Sequence, residues 1–124
     1  MQTIAVLGAS HDRRKYGNKC VRAYAHAGYR VFPIHPTETE VEGFPAFAKL
    51  AEIAEPLDRI SVYLPPPITL SMLPDIAAKG AGEVWFNPGS ADTRVLEEAR
   101  RRGLSIRPGC SIVDIGLSPA MFGE

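Results

Sequence analysis

The sequence predicts an α/β protein built on a doubly wound, five-stranded parallel sheet with helices on both faces. Short runs rich in Ile and Val alternate five times with amphipathic stretches, and this alternation is typical of βαβ units. The apolar runs do not alternate with polar residues, as expected of strands that are buried on both faces. Together these observations favour a single Rossmann-like domain.

Five short apolar segments are predicted to be the strands. In chain order they are Thr3–Leu7, Arg30–Ile34, Arg59–Leu64, Glu83–Phe86 and Leu104–Ile106. Right-handed crossovers between them predict the strand order 3-2-1-4-5. In that order the sheet reverses direction between the first and fourth strands. Ligands of such sheets bind at this point, beyond the carboxyl ends of the strands.

Four segments between the strands are predicted to be helices. They are Gly17–Ala27, Ala46–Ala54, Thr69–Lys79 and Asp92–Arg102. Each is followed by Gly or Pro, which are residues that commonly end helices. Residues 108–124 are rich in Gly, Pro and Ser, and we expect them to be irregular. The whole chain, residues 1–124, is predicted to form one domain, since its length suits a single core.

Composition excludes several classes of protein. The 124 residues include 14 basic and 14 acidic side chains, and this balance argues against binding to nucleic acid or to an anionic membrane. No apolar run approaches the roughly 20 residues that cross a bilayer. The first residues also lack the basic segment of a secretory signal. We therefore expect a cytoplasmic protein in which Cys20 and Cys110 are free thiols.

The segment after the first strand carries the clearest functional signal. Gly8 permits a tight turn, Ser10 supplies a hydroxyl, and the N–H groups that open the next helix point toward an anion. Arg13, Arg14 and Lys15 add three cations, which suit a polyphosphate. The alternative is a solvated, charged loop that binds nothing.

Two common nucleotide-binding modes are disfavoured at this turn. The dinucleotide fingerprint is G-x-G-x-x-G, whereas the chain reads Gly8-Ala9-Ser10-His11-Asp12-Arg13 and lacks two of the three glycines. The fingerprint also needs an acid at the end of the second strand, but the first acid there is Glu38. The Walker pattern fails because Arg13 stands where it requires glycine. The turn therefore predicts a phosphate-bearing ligand held in another way.

Three further loops are expected at the same edge of the sheet. Leu64-Pro65-Pro66-Pro67 forms either a stiff apolar wall for an adenine ring or a rigid connector to the next helix. His35, before Pro36, either binds a ribose or phosphate or only shapes a turn. Asn87, before Pro88-Gly89, either bonds a ligand amide or belongs to a simple turn.

The sequence pattern does not indicate a catalytic or a metal-binding site. The three histidines are not associated with an evident nucleophile, and no spacing is typical of a metal site. Cys110 follows the fifth strand and is expected near the ligand-binding edge. Its thiol either forms a mixed disulfide with a thiol ligand or packs as a small, half-buried side chain. The residues therefore do not predict an enzyme.

The motifs together resemble the small bacterial CoA-binding proteins, which look like the CoA-binding domain of the succinyl-CoA synthetase α subunit standing alone. The resemblance rests on Gly8-Ala9-Ser10, Lys15-Tyr16-Gly17-Asn18, Gly28–Pro36, Leu64–Pro67, Val84–Gly89 and Gly109-Cys110. It covers nearly the whole chain. It implies that the ligand is coenzyme A or an acyl-CoA.

The resemblance also implies which residues bind the ligand. The first turn would hold the diphosphate, the loops after the second and third strands would border the nucleotide, and the loop after the fourth strand would border the pantetheine. The family usually has Asn where this chain has His35. With the cations of the turn included, the predicted CoA-binding residues are Gly8, Ala9, Ser10, Arg13, Arg14, Lys15, Tyr16, Gly17, Asn18, His35, Pro36, Leu64, Pro65, Pro66, Asn87, Pro88 and Gly89.

These observations favour a non-catalytic module that binds, carries or senses CoA. The alternatives are an NAD(P)-type oxidoreductase, a component of an acyl-CoA ligase, and an interaction protein with a vestigial site. The synthetase that the chain resembles also needs a phosphorylated-histidine domain and a nucleotide-grasping subunit, which do not fit within these 124 residues. A ligase component would therefore need a partner subunit. The sequence does not decide whether the chain forms a homodimer or binds another protein.

Overall fold

The central element of the protein is a five-stranded parallel sheet with the strand order β2-β1-β5-β6-β7. The computed structural model describes all of residues 1–124. Its strands are β1 (Thr3–Leu7), β2 (Arg30–Ile34), β3 (Glu40–Val41), β4 (Phe44–Pro45), β5 (Arg59–Val62), β6 (Glu83–Phe86) and β7 (Ile106–Pro108). Its helices are α1 (Tyr16–His26), α2 (Pro66–Lys79), α3 (Thr93–Arg101) and α4 (Ser111–Asp114). The predicted fold class is confirmed.

The predicted strand order is wrong at one position. The order 3-2-1-4-5 places the third predicted strand beyond the second, whereas the structure places it, as β5, beside β1. Ala5 of β1 pairs with Phe32 of β2 on one side and with Ile60 of β5 on the other. The sheet therefore reverses direction between β1 and β5. Alternating elements and right-handed crossovers fit both orders, so they do not distinguish them.

Pro33 is the residue that identifies β2 as an edge strand. Its carbonyl accepts a hydrogen bond of 2.9 Å from the Phe47 N–H on the side away from β1. The N–H and C=O groups of one residue in a parallel strand point to the same side, so the proline nitrogen also faces outward. An edge strand loses no ladder bond to such a proline, whereas an internal strand would lose one.

The helices cover the two faces of the sheet and create two cores. α1 and α4 pack on one face, around buried residues that include Ile4, Val6 and Tyr24. α2 and α3 pack on the other, around residues that include Leu73 and Val95. Successive side chains of β1 point to opposite faces, because strand side chains alternate. This is why β1 is apolar at every buried position.

Two predicted segments differ from the structure. Residues 46–54 contain no α-helix but only a 3-10 turn at Leu50–Glu52, because Phe47 extends along the edge of β2 and bonds to Pro33 and His35. Residues 108–124 are not wholly irregular, since they contain α4 and a 3-10 turn at Pro119–Met121. Ile112 of α4 is fully buried and attaches this segment to the α1 face.

The remaining boundaries lie within a few residues of their predicted positions. β5 ends at Val62 rather than Leu64, α2 begins at Pro66 rather than Thr69, and β7 spans Ile106–Pro108 rather than Leu104–Ile106. The prolines thus fill the first turn of α2, where a missing N–H costs no helical bond. None of the helices has the length and apolar character needed to cross a membrane.

Candidate functional site

A cleft of about 790 Å³ opens where the carboxyl ends of β1, β2, β5 and β6 meet. It lies at the point where the sheet reverses direction, as ligand sites of doubly wound sheets do. Most of the residues predicted to bind a ligand lie along it, whereas Arg13, Asn18 and Asn87 do not. The lining residues are Gly8, Ala9, Ser10, Arg14, Lys15, Tyr16, Gly17, His35, Pro36, Tyr63, Leu64, Pro65, Pro66, Pro88, Gly89 and Ser90.

Two glycines bring the start of α1 against the end of β1. A Cβ atom at Gly17 would lie 2.1 Å from the Gly8 carbonyl oxygen, and one at Gly8 would lie 2.6 Å from the Tyr63 carbonyl oxygen. Gly8 also has a φ of +88°, which L side chains rarely adopt. The start of α1, the end of β1 and the residue after β5 can therefore approach one another this closely only because both residues lack side chains.

The N-terminus of α1 is left without hydrogen-bond partners. The backbone N–H groups of Tyr16, Gly17 and Asn18 have no backbone acceptor. Lys15 occupies the N-cap position without a capping side-chain bond, and the first turn contains no acidic residue. Free N–H groups and the positive end of the helix dipole form a site for an anion.

Two cationic side chains lie beside these N–H groups, one of them free and the other in an ion pair. Lys15 is exposed and makes no ion pair, so its ammonium group is available to an anion. Arg14 is held by Asp12 through two bonds of 3.0 Å, from its Nε and from one terminal nitrogen. The hydrogen bond from Arg14 lowers the pKa of Asp12 to about 2 and raises the pKa of Arg14 itself.

Arg13 and Asn18 support the turn from outside the cleft. Asn18 is fully buried, and its amide nitrogen donates to the Ser10 carbonyl at 2.8 Å and to Glu42 at 3.0 Å. Arg13 pairs with the same Glu42 carboxylate at 3.2 Å. The hydrogen bond from Asn18, helped by the Arg13 charge, lowers the pKa of Glu42. These side chains position the backbone of the turn and do not face the cleft.

An apolar pocket of about 330 Å³ adjoins the cleft. The two cavities share Gly8, Ala9, His35, Pro36 and Leu64. The other residues of the pocket are aliphatic: Leu7, Ile34, Ala48, Ile68 and Met72. Pro65 and Pro66 line the cleft and also begin α2, so the prolines connect β5 to α2 and border the cleft at the same time.

Asn87 lies beneath the cleft rather than in it. Its amide nitrogen donates to the Ser61 hydroxyl at 2.8 Å and to the Val62 carbonyl at 2.9 Å, and its side-chain oxygen accepts from the Ser111 N–H at 2.9 Å. The side chain therefore joins the ends of β5 and β6 to the start of α4. Both the nitrogen and the oxygen of its side-chain amide thus have hydrogen-bond partners inside the protein.

Tyr63 and Ser90 line the cleft although the sequence did not single them out. The Tyr63 hydroxyl is buried without a hydrogen-bond partner, and burial raises its pKa. The placement of β5 beside β1 brings Tyr63 to the turn, so the correct strand order was the signal needed to find it. Cys110, which caps α4, is half-buried and does not line the cleft.

The amino-acid sequence also matches a known protein family. The sequence profile of the CoA binding domain matches residues 2–116. The chain belongs to this family. The resemblance found in the motifs is thereby confirmed.

Relatives of this CoA binding domain occur both alone and within larger proteins. This chain is 31% identical over 100 residues to the α subunit of an ADP-forming acetate–CoA ligase II of Pyrococcus furiosus. The match covers 79% of this chain but only 21% of that subunit. The chain is 26% identical over 107 residues to an uncharacterized protein of Bacillus subtilis, covering 83% of this chain and 76% of that one. A solved Thermus thermophilus structure, cell-free ID.343, superposes with a TM-score of 0.84 at 31% identity, covering 91% and 87% of the two chains.

Two chemically different regions lie side by side in this domain. Unpaired N–H groups and the free Lys15 line one part of the cleft, and an aliphatic pocket adjoins it. Pro88 and Gly89 line the cleft as well. Such a site suits a ligand that carries both an anionic group and an apolar surface.

Proposed function

We propose that this chain binds coenzyme A or an acyl-CoA in the cleft and serves as a non-catalytic binding, carrier or sensing module. One observation carries the proposal: the uncapped start of α1 with the unpaired Lys15 lies directly beside an apolar pocket. A phosphate and an apolar ring on one molecule satisfy both at once. We expect this module in the cytoplasm, where coenzyme A is abundant.

Each part of the ligand has its own residues in this proposal. The diphosphate would be held by the N–H groups of Tyr16 and Gly17 and by Lys15. The adenine would enter the pocket lined by Leu64, Ile68 and Met72. The pantetheine would pass over Pro88 and Gly89, whose exposed backbone leaves an open path.

The alternative of an NAD(P)-type oxidoreductase is less well supported. Dinucleotide sites of this fold use a carboxylate after the second strand to bind the ribose hydroxyls. Here the first such carboxylate, Glu38, pairs with His11 at 2.9 Å. Gly8 is also followed by Ala9 and Ser10 rather than by the second glycine of the fingerprint.

Isothermal titration of the purified protein tests the proposal. We expect CoA and acetyl-CoA to bind, and NADH to bind far more weakly. Lys15→Ala should weaken CoA binding about 10- to 100-fold, because a charge-assisted hydrogen bond to phosphate is lost. It should leave the melting temperature unchanged, since Lys15 is exposed and makes no ion pair.

Lys49→Ala is the matched control, because Lys49 is also exposed and lies outside both cavities of the site. Its CoA affinity should equal that of the unsubstituted protein. A folded protein that does not bind CoA at all would contradict the proposal. Equal losses in the two variants would contradict the role assigned to Lys15.

A second candidate function is that of a component of an acyl-CoA ligase. The observation that favours it is the similarity to part of the α subunit of an ADP-forming acetate–CoA ligase. Such a role needs a partner subunit that supplies the remaining chemistry. Formation of acetyl-CoA on mixing the chain with a ligase partner subunit, acetate, ATP and CoA would support it. CoA binding without turnover in any such mixture favours the non-catalytic module.

A further inference from the structure

His35 stands at the junction of the polar cleft and the apolar pocket. It follows β2 directly and lines both cavities. The other residues of the apolar pocket are aliphatic, proline or glycine. His35 is therefore the one polar side chain where the two cavities meet.

The backbone after β2 fixes which ring nitrogen of His35 carries the proton. Nδ1 accepts hydrogen bonds from the Thr37 N–H at 3.1 Å and from the Glu38 N–H at 2.9 Å. A ring nitrogen that accepts from two N–H donors holds no proton of its own. The neutral imidazole therefore carries its hydrogen on Nε2, which makes no hydrogen bond within the protein.

From this placement we infer that His35 is a specificity residue whose Nε2–H donates to an oxygen on the ribose of the bound nucleotide, either the hydroxyl or the 3′-phosphate of that sugar. The inference rests on the proposed function. An adenine in the apolar pocket and a diphosphate at α1 are joined by the ribose. The ribose must then cross the junction at which His35 stands.

Substitution by asparagine separates the two roles of this histidine. The side-chain oxygen of Asn can accept from the N–H two residues later, as Nδ1 does now, so His35→Asn preserves the turn. The shorter amide does not reach the position of Nε2. His26→Asn is the matched control, since His26 lies at the end of α1 and outside both cavities.

Isothermal titration with CoA and with 3′-dephospho-CoA gives the test. If Nε2 bonds the ribose hydroxyl, His35→Asn weakens both ligands equally, by about 3- to 10-fold. If it bonds the 3′-phosphate, CoA weakens by about 10- to 100-fold and dephospho-CoA is unaffected. Unchanged affinity for both ligands would overturn the inference while leaving the proposed function intact.

A second measurement does not depend on the variant. Long-range ¹H–¹⁵N NMR spectra of the unsubstituted protein should show the His35 ring as the Nε2-protonated tautomer, with the Nε2 resonance shifting when CoA is added. The opposite tautomer, or an Nε2 resonance that stays in place at saturation with CoA, would overturn the inference. A folded, unsubstituted protein that binds neither ligand would overturn the proposed function first, and this inference with it.

Discussion

At the scale of single residues, Gly8 and Gly28 share a backbone conformation but differ in their surroundings. Both have a φ of +88°, yet a Cβ atom at Gly8 would lie 2.6 Å from the Tyr63 carbonyl oxygen, whereas one at Gly28 would have nothing within 4 Å. Gly28→Ala should therefore cost only the left-handed backbone penalty, about 1 kcal/mol. Gly8→Ala should cost about 1–3 kcal/mol more, because the carbonyl cannot move without shifting β5.

Urea unfolding of the two alanine variants measures this difference in the free energy of unfolding. Gly28→Ala serves as the control that isolates the backbone term. Equal costs would show that the turn relaxes freely around Gly8. In that case the close approach of the turn to Tyr63 would not be a fixed feature of the site.

Residue type alone did not fully distinguish the residues that line the cleft from the buried residues that hold its loops in place. Gly8 and Lys15 were identified from the sequence because a tight turn and a helix start have recognisable patterns. Asn18 and Asn87 were predicted to contact the ligand, but both are buried and bonded within the protein. A polar side chain next to a binding loop satisfies either the ligand or the backbone of the loop, and only the three-dimensional arrangement decides between them.

At the scale of elements, Asn87 joins β5, β6 and α4. Asn87→Ala would remove three hydrogen bonds and leave the buried Ser111 N–H and Ser61 hydroxyl with fewer partners. We expect the free energy of unfolding to fall by about 2–4 kcal/mol. The affinity of the folded protein for CoA should change little, because the side chain faces away from the cleft.

Pro88→Ala is the control for this variant, since Pro88 is the exposed neighbour of Asn87 and lines the cleft. Its stability should be close to that of the unsubstituted protein. Urea unfolding of both variants compares their stability, and CoA titration compares Asn87→Ala with the unsubstituted protein. An Asn87→Ala protein of unchanged stability that no longer binds CoA would contradict this structural role and show that Asn87 contacts the ligand.

Two parts of the chain differ from the predicted elements, each for its own physical reason. The segment 46–54 has a helical composition, but the bonds of Phe47 to Pro33 and His35 hold its beginning extended along β2. The hairpin of β3 and β4 turns at Glu42 and Gly43, with φ values of 52° and 84°, and such a turn has a weak signal without Asn or Asp. Long-range pairing therefore overrode local preference in residues 46–54. The hairpin pairs residues that are close in sequence, and it was missed because its turn signal is weak.

At the scale of the whole molecule, the sheet order decides which loops form the site. The carboxyl ends of β1 and β5 are neighbours, so Tyr63 and the prolines that open α2 meet the turn after β1. The sequence predicted that these loops share an edge, since this holds for any parallel sheet. The predicted order gave the third strand the wrong neighbour, although Pro33 marks β2 as an edge strand.

The α1 face of the molecule has a further property, a buried cluster of titratable hydroxyl and thiol groups. Burial raises the pKa of the Cys20 thiol from 9.0 to about 11 and the pKa of the Tyr24 hydroxyl from 10.0 to about 12. An unfolded chain releases these protons earlier than the folded one. Their contribution to stability is therefore complete below about pH 9 and is lost as the pH rises toward 11 and 12.

Cys20→Ala removes the first of these groups and should flatten the alkaline end of the stability profile. The substitution lowers the free energy of unfolding at neutral pH because it leaves a small cavity. The further loss between neutral pH and about pH 10 should nevertheless be smaller than in the unsubstituted protein, since only Tyr24 and Tyr63 then remain to ionise. Urea unfolding across this range measures both profiles. Parallel curves would mean that the thiol ionises equally easily in the folded and unfolded chains, contrary to its complete burial against Ser61 and Ser111.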